Sequence, residues 1–155
     1  MRIVGIDPGK RHFGWALIEI ASKSRVRKPL VWSAGVCAID EESLNDLAYD
    51  LDADLLVVEH PWYRANDKRR VSPNTSVELA FSAGRIAGVM GGLLLAPKPH
   101  AWKGSVPKEI HHERLLARYP PIRGAVSHIK SKKRRLDALD ACGLAAYGLE
   151  HRHET

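Results

Sequence analysis

The 155-residue sequence predicts an α/β fold built on one five-stranded mixed sheet, three antiparallel strands followed by two parallel ones, with helices on both faces. Three observations carry that expectation. Two β-rich segments at the start are separated only by a Pro-Gly turn, which reads as a hairpin. Beyond them, helical and strand-like segments alternate. Leu55 to Glu59, a nearly continuous apolar run ending in a charge, has the pattern of a strand buried on both faces.

In chain order, Arg2 to Asp7 is the first strand, stopped at Pro8-Gly9. His12 to Ile20 is the second and closes the hairpin. Leu30 to Ile39 is the third, reached through the basic polar turn Ser22 to Lys28. Leu44, Leu47, Ala48 and Leu51 fall at helical spacing, so Glu41 to Leu51 is a helix with Asp40 as its N-cap. Leu55 to Glu59 is the central strand. Thr75-Ser76-Val77-Glu78 matches a capping box and opens a long helix towards Leu93. Its small residues (Ala80, Ala83, Gly84, Ala87, Gly88 and Gly91) permit close packing against a sheet or a partner. Leu93 to Ala96 is the fifth strand, ended by Pro97 and Pro99. Pro107, at a first helical position, begins a helix to about Tyr119. Pro120 to Lys133 reads as irregular and basic, and Leu136 to Leu149 as the last helix. Residues 1–150 are expected to form one domain and 151–155 a frayed tail.

Composition narrows the function. Forty-five per cent apolar residues can supply a core, which argues against wholesale disorder. The apolar stretches are too short to cross a bilayer. Met1 leads into a strand rather than a signal-peptide pattern, and Cys37 and Cys142 stand far apart with no CxxC, so neither a disulfide scaffold nor a cysteine zinc site is expected. The expectation is a reduced protein of the cytoplasm, with no membrane partner. The net charge of +6 conceals an asymmetry: Ile39 to Glu59 holds eight acidic residues and no Lys or Arg, whereas Lys98 to Arg135 holds eleven basic residues against Glu109 and Glu113. A shorter basic segment carries Arg64, Lys68, Arg69 and Arg70. Such runs are the electrostatic footprint of a protein that neutralises phosphates.

Four carboxylates stand out by place. Asp7 ends the first strand and Glu59 the fourth, the strand ends at which open α/β sheets bind ligands. Asp137 and Asp140, three residues apart, share one face of the last helix. If that face meets the two strand ends, the four repel one another unless protons or cations intervene. Hard oxygen donors suit Mg²⁺ or Mn²⁺, and two such ions about 4 Å apart can activate water and steady the leaving oxygen of a phosphodiester.

These residues lie in recognisable words. Gly5-Ile6-Asp7-Pro8-Gly9 running on to Gly14, the strand end Val57-Val58-Glu59-His60, and Asp137-Ala138-Leu139-Asp140-Ala141-Cys142-Gly143-Leu144-Ala145 together resemble the RuvC-type Holliday-junction resolvases of the RNase H-like superfamily. The resemblance runs from Met1 to about Leu149 with order and spacing kept. It implies an RNase H-like fold and a homodimer that binds branched DNA, the four-way junction, and nicks two opposed strands with two divalent ions per active site. It implies that Asp7, Glu59, Asp137 and Asp140 are the metal-binding tetrad, with Asp137, replaced by His in some members, the variable ligand. The wedge aromatic of the family falls at Trp62, with Tyr63 beside it as an alternative. Lys103 and Lys108 match basic positions near the scissile phosphate. Two departures are visible: the run Lys130, Lys132, Lys133, Arg134 and Arg135 before Asp137 is denser than in bacterial members, and the loop from Arg64 to Ser72 is longer and more basic. Both suggest a phage or otherwise divergent member with its own DNA contacts.

Three other readings compete. An actin- or hexokinase-like ATPase shares the Gly-Ile-Asp-x-Gly start but needs two copies of this fold. A catalytically idle junction-binding module would be expected to have lost a carboxylate, and all four are here. A sibling nuclease acting on RNA or other branched DNA shares the chemistry and differs in substrate. The aromatic pair and the small-residue helix, a candidate dimer surface, favour the junction enzyme.

Overall fold

The computed structural model describes residues 1–20, 31–61 and 72–152. Strands β1 (Arg2–Asp7), β2 (His12–Glu19), β3 (Val31–Ala38), β4 (Leu55–Val58) and β5 (Leu93–Leu95) form one sheet in the order β3-β2-β1-β4-β5. β1 pairs antiparallel with β2 and β2 with β3; β4 is parallel to β1 and β5 to β4. The mixed sheet expected from sequence is the sheet observed. Among the described residues no helix is long and apolar enough to cross a membrane.

Side-chain alternation divides the core between two faces. Ile3, Ile18, Leu55 and Val57 meet Ala141, Leu144 and Ala145 of helix α6 (Lys132–His151) on one side. Val4, Ile6, Phe13, Leu17, Leu56 and Val58 meet helices α1 (Glu41–Leu51) and α2 (Pro73–Met90) on the other. Removing such an Ile or Leu from water is worth about 1.5–3 kcal/mol, so both faces contribute to holding the sheet. Two glycines set the height of α6. A Cβ at Gly5 would run into the Ala141 carbonyl, and one at Gly14 into the carbonyl of Asp137. The helix backbone therefore rests directly on β1 and β2.

Several expected boundaries change. Asp40 caps α1 as expected, accepting from the Ser43 N–H at 2.8 Å. Helix α2 starts at Pro73, not at Thr75. The Ser72 hydroxyl accepts from the Thr75 N–H, and Pro73 at the first position has no N–H to leave unpaired. Glu78 accordingly does not fold back as a box residue; it pairs with Lys10. The helix ends at Met90 rather than near Leu93, because Gly91 and Gly92 adopt positive φ. Pro107 is the N-cap of α4 (Lys108–Arg118) rather than its first residue. Two short helices add to the expected elements: α3 (Pro99–Lys103), in a segment assigned no element, and α5 (Ile122–Val126), within the stretch read as irregular. The last helix begins at Lys132 behind the Ser131 cap, not at Leu136, and ends at His151, so the basic run belongs to its first turn and His151 is not in the tail.

Candidate active site

The register brings the carboxylates together. Asp7 is the last residue of β1 and pairs with Gly14, on which the Asp137 backbone rests. Ile6 and Val58 are parallel partners, and the Glu59 N–H donates to the Ile6 carbonyl at 3.2 Å, so Glu59 emerges beside Asp7. Asp140 lies one turn beyond Asp137 on α6 and is 5% exposed. The two lysines marked by sequence arrive from the next elements. Lys103, the last residue of α3, places its Nζ 3.7 Å from Glu59 Oε2 and 4.8 Å from the Trp102 ring centroid. Lys108, the first residue of α4, pairs with Asp140 Oδ2.

The electrostatics are those of crowded acids. Asp7 is held well above the ordinary carboxylate range, first by burial, then by the charges of Asp140 and Glu59. Burial raises Glu59 against the opposing Lys103, and burial raises Asp137 against Lys108 and Lys133. Asp140 goes the other way. Burial opposes its ionisation, but hydrogen bonds from His112 and Lys108 outweigh burial and hold it below the usual range. For Lys108, burial is outweighed by the hydrogen bond and charge of Asp140 and the charges of Asp7 and Asp137, which keep the ammonium protonated. The cluster is short of positive charge, and two ammonium groups lie against it.

The donor chemistry fits Mg²⁺ or Mn²⁺: four carboxylates supply hard oxygens, and three of them are raised in a way a cation would reverse. As they stand, with Lys103 on Glu59 and Lys108 on Asp140, no three His, Cys, Asp or Glu side chains among the described residues converge to hold a metal ion.

An open groove of about 560 Å³ leads from Asp7 and Asp137 between Lys10 and Arg11 of the hairpin and Lys133 and Arg134 of α6. Lys132, Lys133 and Arg134 are exposed in the first turn of α6, which has no acidic residue. Cations at a helix N-terminus oppose the macrodipole, so this placement has a local cost that an external anion would offset. Arg135 is different. Its Nε and Nη2 donate to the Ile129 carbonyl at 3.0 and 2.7 Å, which ties down the turn before α6. Lys130 is exposed just ahead of the cap. Trp62, Tyr63, Arg64, Lys68, Arg69 and Arg70 lie outside the described residues.

The sequence reading missed Lys10 and Arg11, although both stand inside the opening motif between two glycines. It also left His112 without a role. Its only signal is the spacing from Lys108, four residues on one helix.

Neither a protein-family model nor a curated protein matches the sequence. Solved structures do. The chain superposes on Thermus thermophilus RuvC in complex with Holliday junction substrate at a TM-score of 0.64 and 16% identity, with 99% of this chain and 96% of that one covered. The fold is that of the RuvC-type resolvases. The Fowlpox virus resolvase, solved with substrate Holliday junction DNA, matches at a TM-score of 0.56 and 14% identity, over 98% of this chain and 99% of that one. Free Thermus thermophilus RuvC gives 0.60 and 16% over 99% and 96%. Against this RuvC-like frame, the Asp7 and Glu59 strand ends and the α6 carboxylates occupy one end of the sheet.

Proposed function

We propose that the protein is a metal-dependent endonuclease that resolves four-way DNA junctions by paired nicks near the crossover, leaving 5′-phosphate and 3′-hydroxyl ends. The observation that carries this is Asp7 lying within electrostatic reach of Glu59, Asp137 and Asp140, with Lys103 on Glu59 and Lys108 on Asp140, beside a basic groove that Asp7 and Asp137 line, on a RuvC-like fold. Asp7, Glu59, Asp137 and Asp140 would hold Mg²⁺, with Mn²⁺ as a substitute and two ions per site, and the metal would supply an activated water and neutralise the leaving oxygen.

The chain's own residues do the rest. Lys10, Arg11, Lys133 and Arg134 grip the backbone phosphates and set the strand over Asp7. Lys103 and Lys108, freed from their carboxylates, turn to the scissile phosphate and stabilise the charge that develops on it. Asp140 is held below the usual carboxylate range by His112 and Lys108, and when Lys108 turns away the His112 hydrogen bond is the contact that remains on it. Two opposed nicks need two sites, so the working unit is a homodimer. The outward face of α2 supports this: Val77 and Phe81 are 68% and 75% exposed, and a Cβ added at Gly84 or Gly88 on the same face would meet nothing within 4 Å among the described residues.

The test is cleavage of a four-way junction, a matched duplex and an RNA/DNA hybrid, each with Mg²⁺ or EDTA, by wild-type protein and Asp7→Asn. The expected result is metal-dependent paired nicking of the junction only. In Asp7→Asn, cleavage should fall by several kcal/mol of barrier, about a thousandfold or more, while junction binding survives. Cleavage of the hybrid alone would replace the substrate. Stability in EDTA checks the site independently. A raised carboxyl pKa favours the folded state at low pH, and that contribution is lost as the pH rises through the folded value. At neutral pH, Asp7→Asn should therefore melt no lower than the wild type.

A further inference from the structure

His112 is a buried histidine, 5% exposed, that the opening motifs did not mark. Its Nε2 lies 2.7 Å from Asp140 Oδ1, while Lys108 takes Oδ2 of the same carboxylate. Lys108 and His112 are four residues apart on α4, so a single helix face grips both oxygens of Asp140. Since an ionised carboxylate only accepts, Nε2 carries the proton and donates it. The neighbouring His111 is turned elsewhere. Its ring meets Trp102 edge-on, with centroids 5.1 Å apart, and its buried Nε2 has no hydrogen-bond partner among the described residues. Two adjacent histidines thus have separate duties, and only one of them touches the carboxylate cluster.

The two bonds on Asp140 differ in permanence. Lys108 is exposed and reaches Oδ2 by a flexible four-carbon stem, so a divalent ion or a phosphate can displace it. His112 is short, buried and fixed by α4, so its hold on Oδ1 persists. We propose that His112 is a positioning residue: by donating to Oδ1 it locks the Asp140 side chain with Oδ2 facing the Lys108 side of the cluster, preset to ligate a divalent ion when Lys108 withdraws. The inference rests on the metal-dependent reading above and adds the residue that prepares the site. Without His112, Asp140 would have one oxygen desolvated and unpaired and would be free to rotate away from Oδ2-directed binding.

Calorimetric titration of the full-length protein with manganese chloride alone, without DNA, tests this. His112→Ala should weaken Mn²⁺ binding about 10–100-fold, the usual effect of losing a hydrogen-bond partner behind a metal ligand. His112→Gln, whose amide N–H can stand near the place of Nε2, should recover most of the loss. Junction binding in EDTA should be the same for all three proteins, and thermal melting should show each one folded. Should the alanine variant not fold, His112→Asn, whose amide stops short of Asp140, replaces it in the comparison. Equal Mn²⁺ affinity in the wild type and a folded Ala or Asn variant overturns the positioning role and leaves the nuclease reading standing. A wild type that binds no Mn²⁺ overturns both. Failure of a folded Gln variant to recover affinity also overturns the role.

Discussion

Helices α2 and α6 flank the same sheet and are both rich in small residues, yet they use them in opposite ways. In α6, Ala138, Ala141, Ala145 and Gly148 are buried against the strands, and the backbone lies so close that a Cβ at position 5 or 14 would strike its carbonyls. In α2, Ala83, Ile86 and Met90 face the sheet, while Gly84 and Gly88 look outward together with Val77 and Phe81. Small residues in a helix therefore signal close approach without saying to what. In α6 the approach is internal and delivers Asp137 and Asp140 to the strand ends. In α2 it is left open on the surface, where a second copy is proposed to lie.

The largest break in this comparison should come from Gly5→Ala. The added methyl meets the Ala141 carbonyl, a rigid backbone atom, so α6 must shift or the strand must bend. The expected cost is about 3 kcal/mol or more in urea unfolding, with loss of junction cleavage because Asp140 moves with the helix. A stable, active Gly5→Ala would mean that the helix does not set the site's height. Next comes Phe81→Glu, which places a charge on the open face of α2. Monomer stability should change by no more than about 0.5 kcal/mol, while sedimentation should show the mass halved and paired nicking reduced to single nicks. An unchanged mass would move the dimer surface elsewhere. The smallest effect is the same glycine-to-alanine swap made on α2. In the Phe81→Glu background, Gly84→Ala should raise stability by about 0.5–1 kcal/mol, since nothing obstructs the methyl and alanine favours the helix. Any destabilisation there would show that the face is already covered within one chain.

The opening hairpin, the buried central strand, the helix after Asp40 and the four carboxylates were legible because each is written locally: alternation, a Pro-Gly turn, an apolar run, an i, i+3 pair. The start of α6 was not. Lys132 to Arg135 break the rule that helix N-termini avoid cations, so the sequence reads as a loop where the Ser131 cap begins a helix. The rule is broken where the basic groove meets the carboxylates, which is where local preference is expected to yield to function. The role of Arg135 was equally hidden, because nothing in a run of five cations separates the one bonded to the Ile129 carbonyl from those left exposed.

What the sequence by itself determined is the sheet and its strand directions, which are properties of neighbours along the chain; it singled out four acids by their place, and Lys103 and Lys108 only through the family resemblance. Only the tertiary structure decided which groups touch. It put Lys103 on Glu59 and Lys108 on Asp140, lined the approach with Lys10 and Arg11, and separated His112 from His111. The physical reason is that pKa shifts and hydrogen bonds depend on burial and on distances of a few ångströms across elements far apart in sequence. Asp7, Glu59, Asp137 and Asp140 are all carboxylates in the sequence; packing alone raises three of them and lowers the fourth.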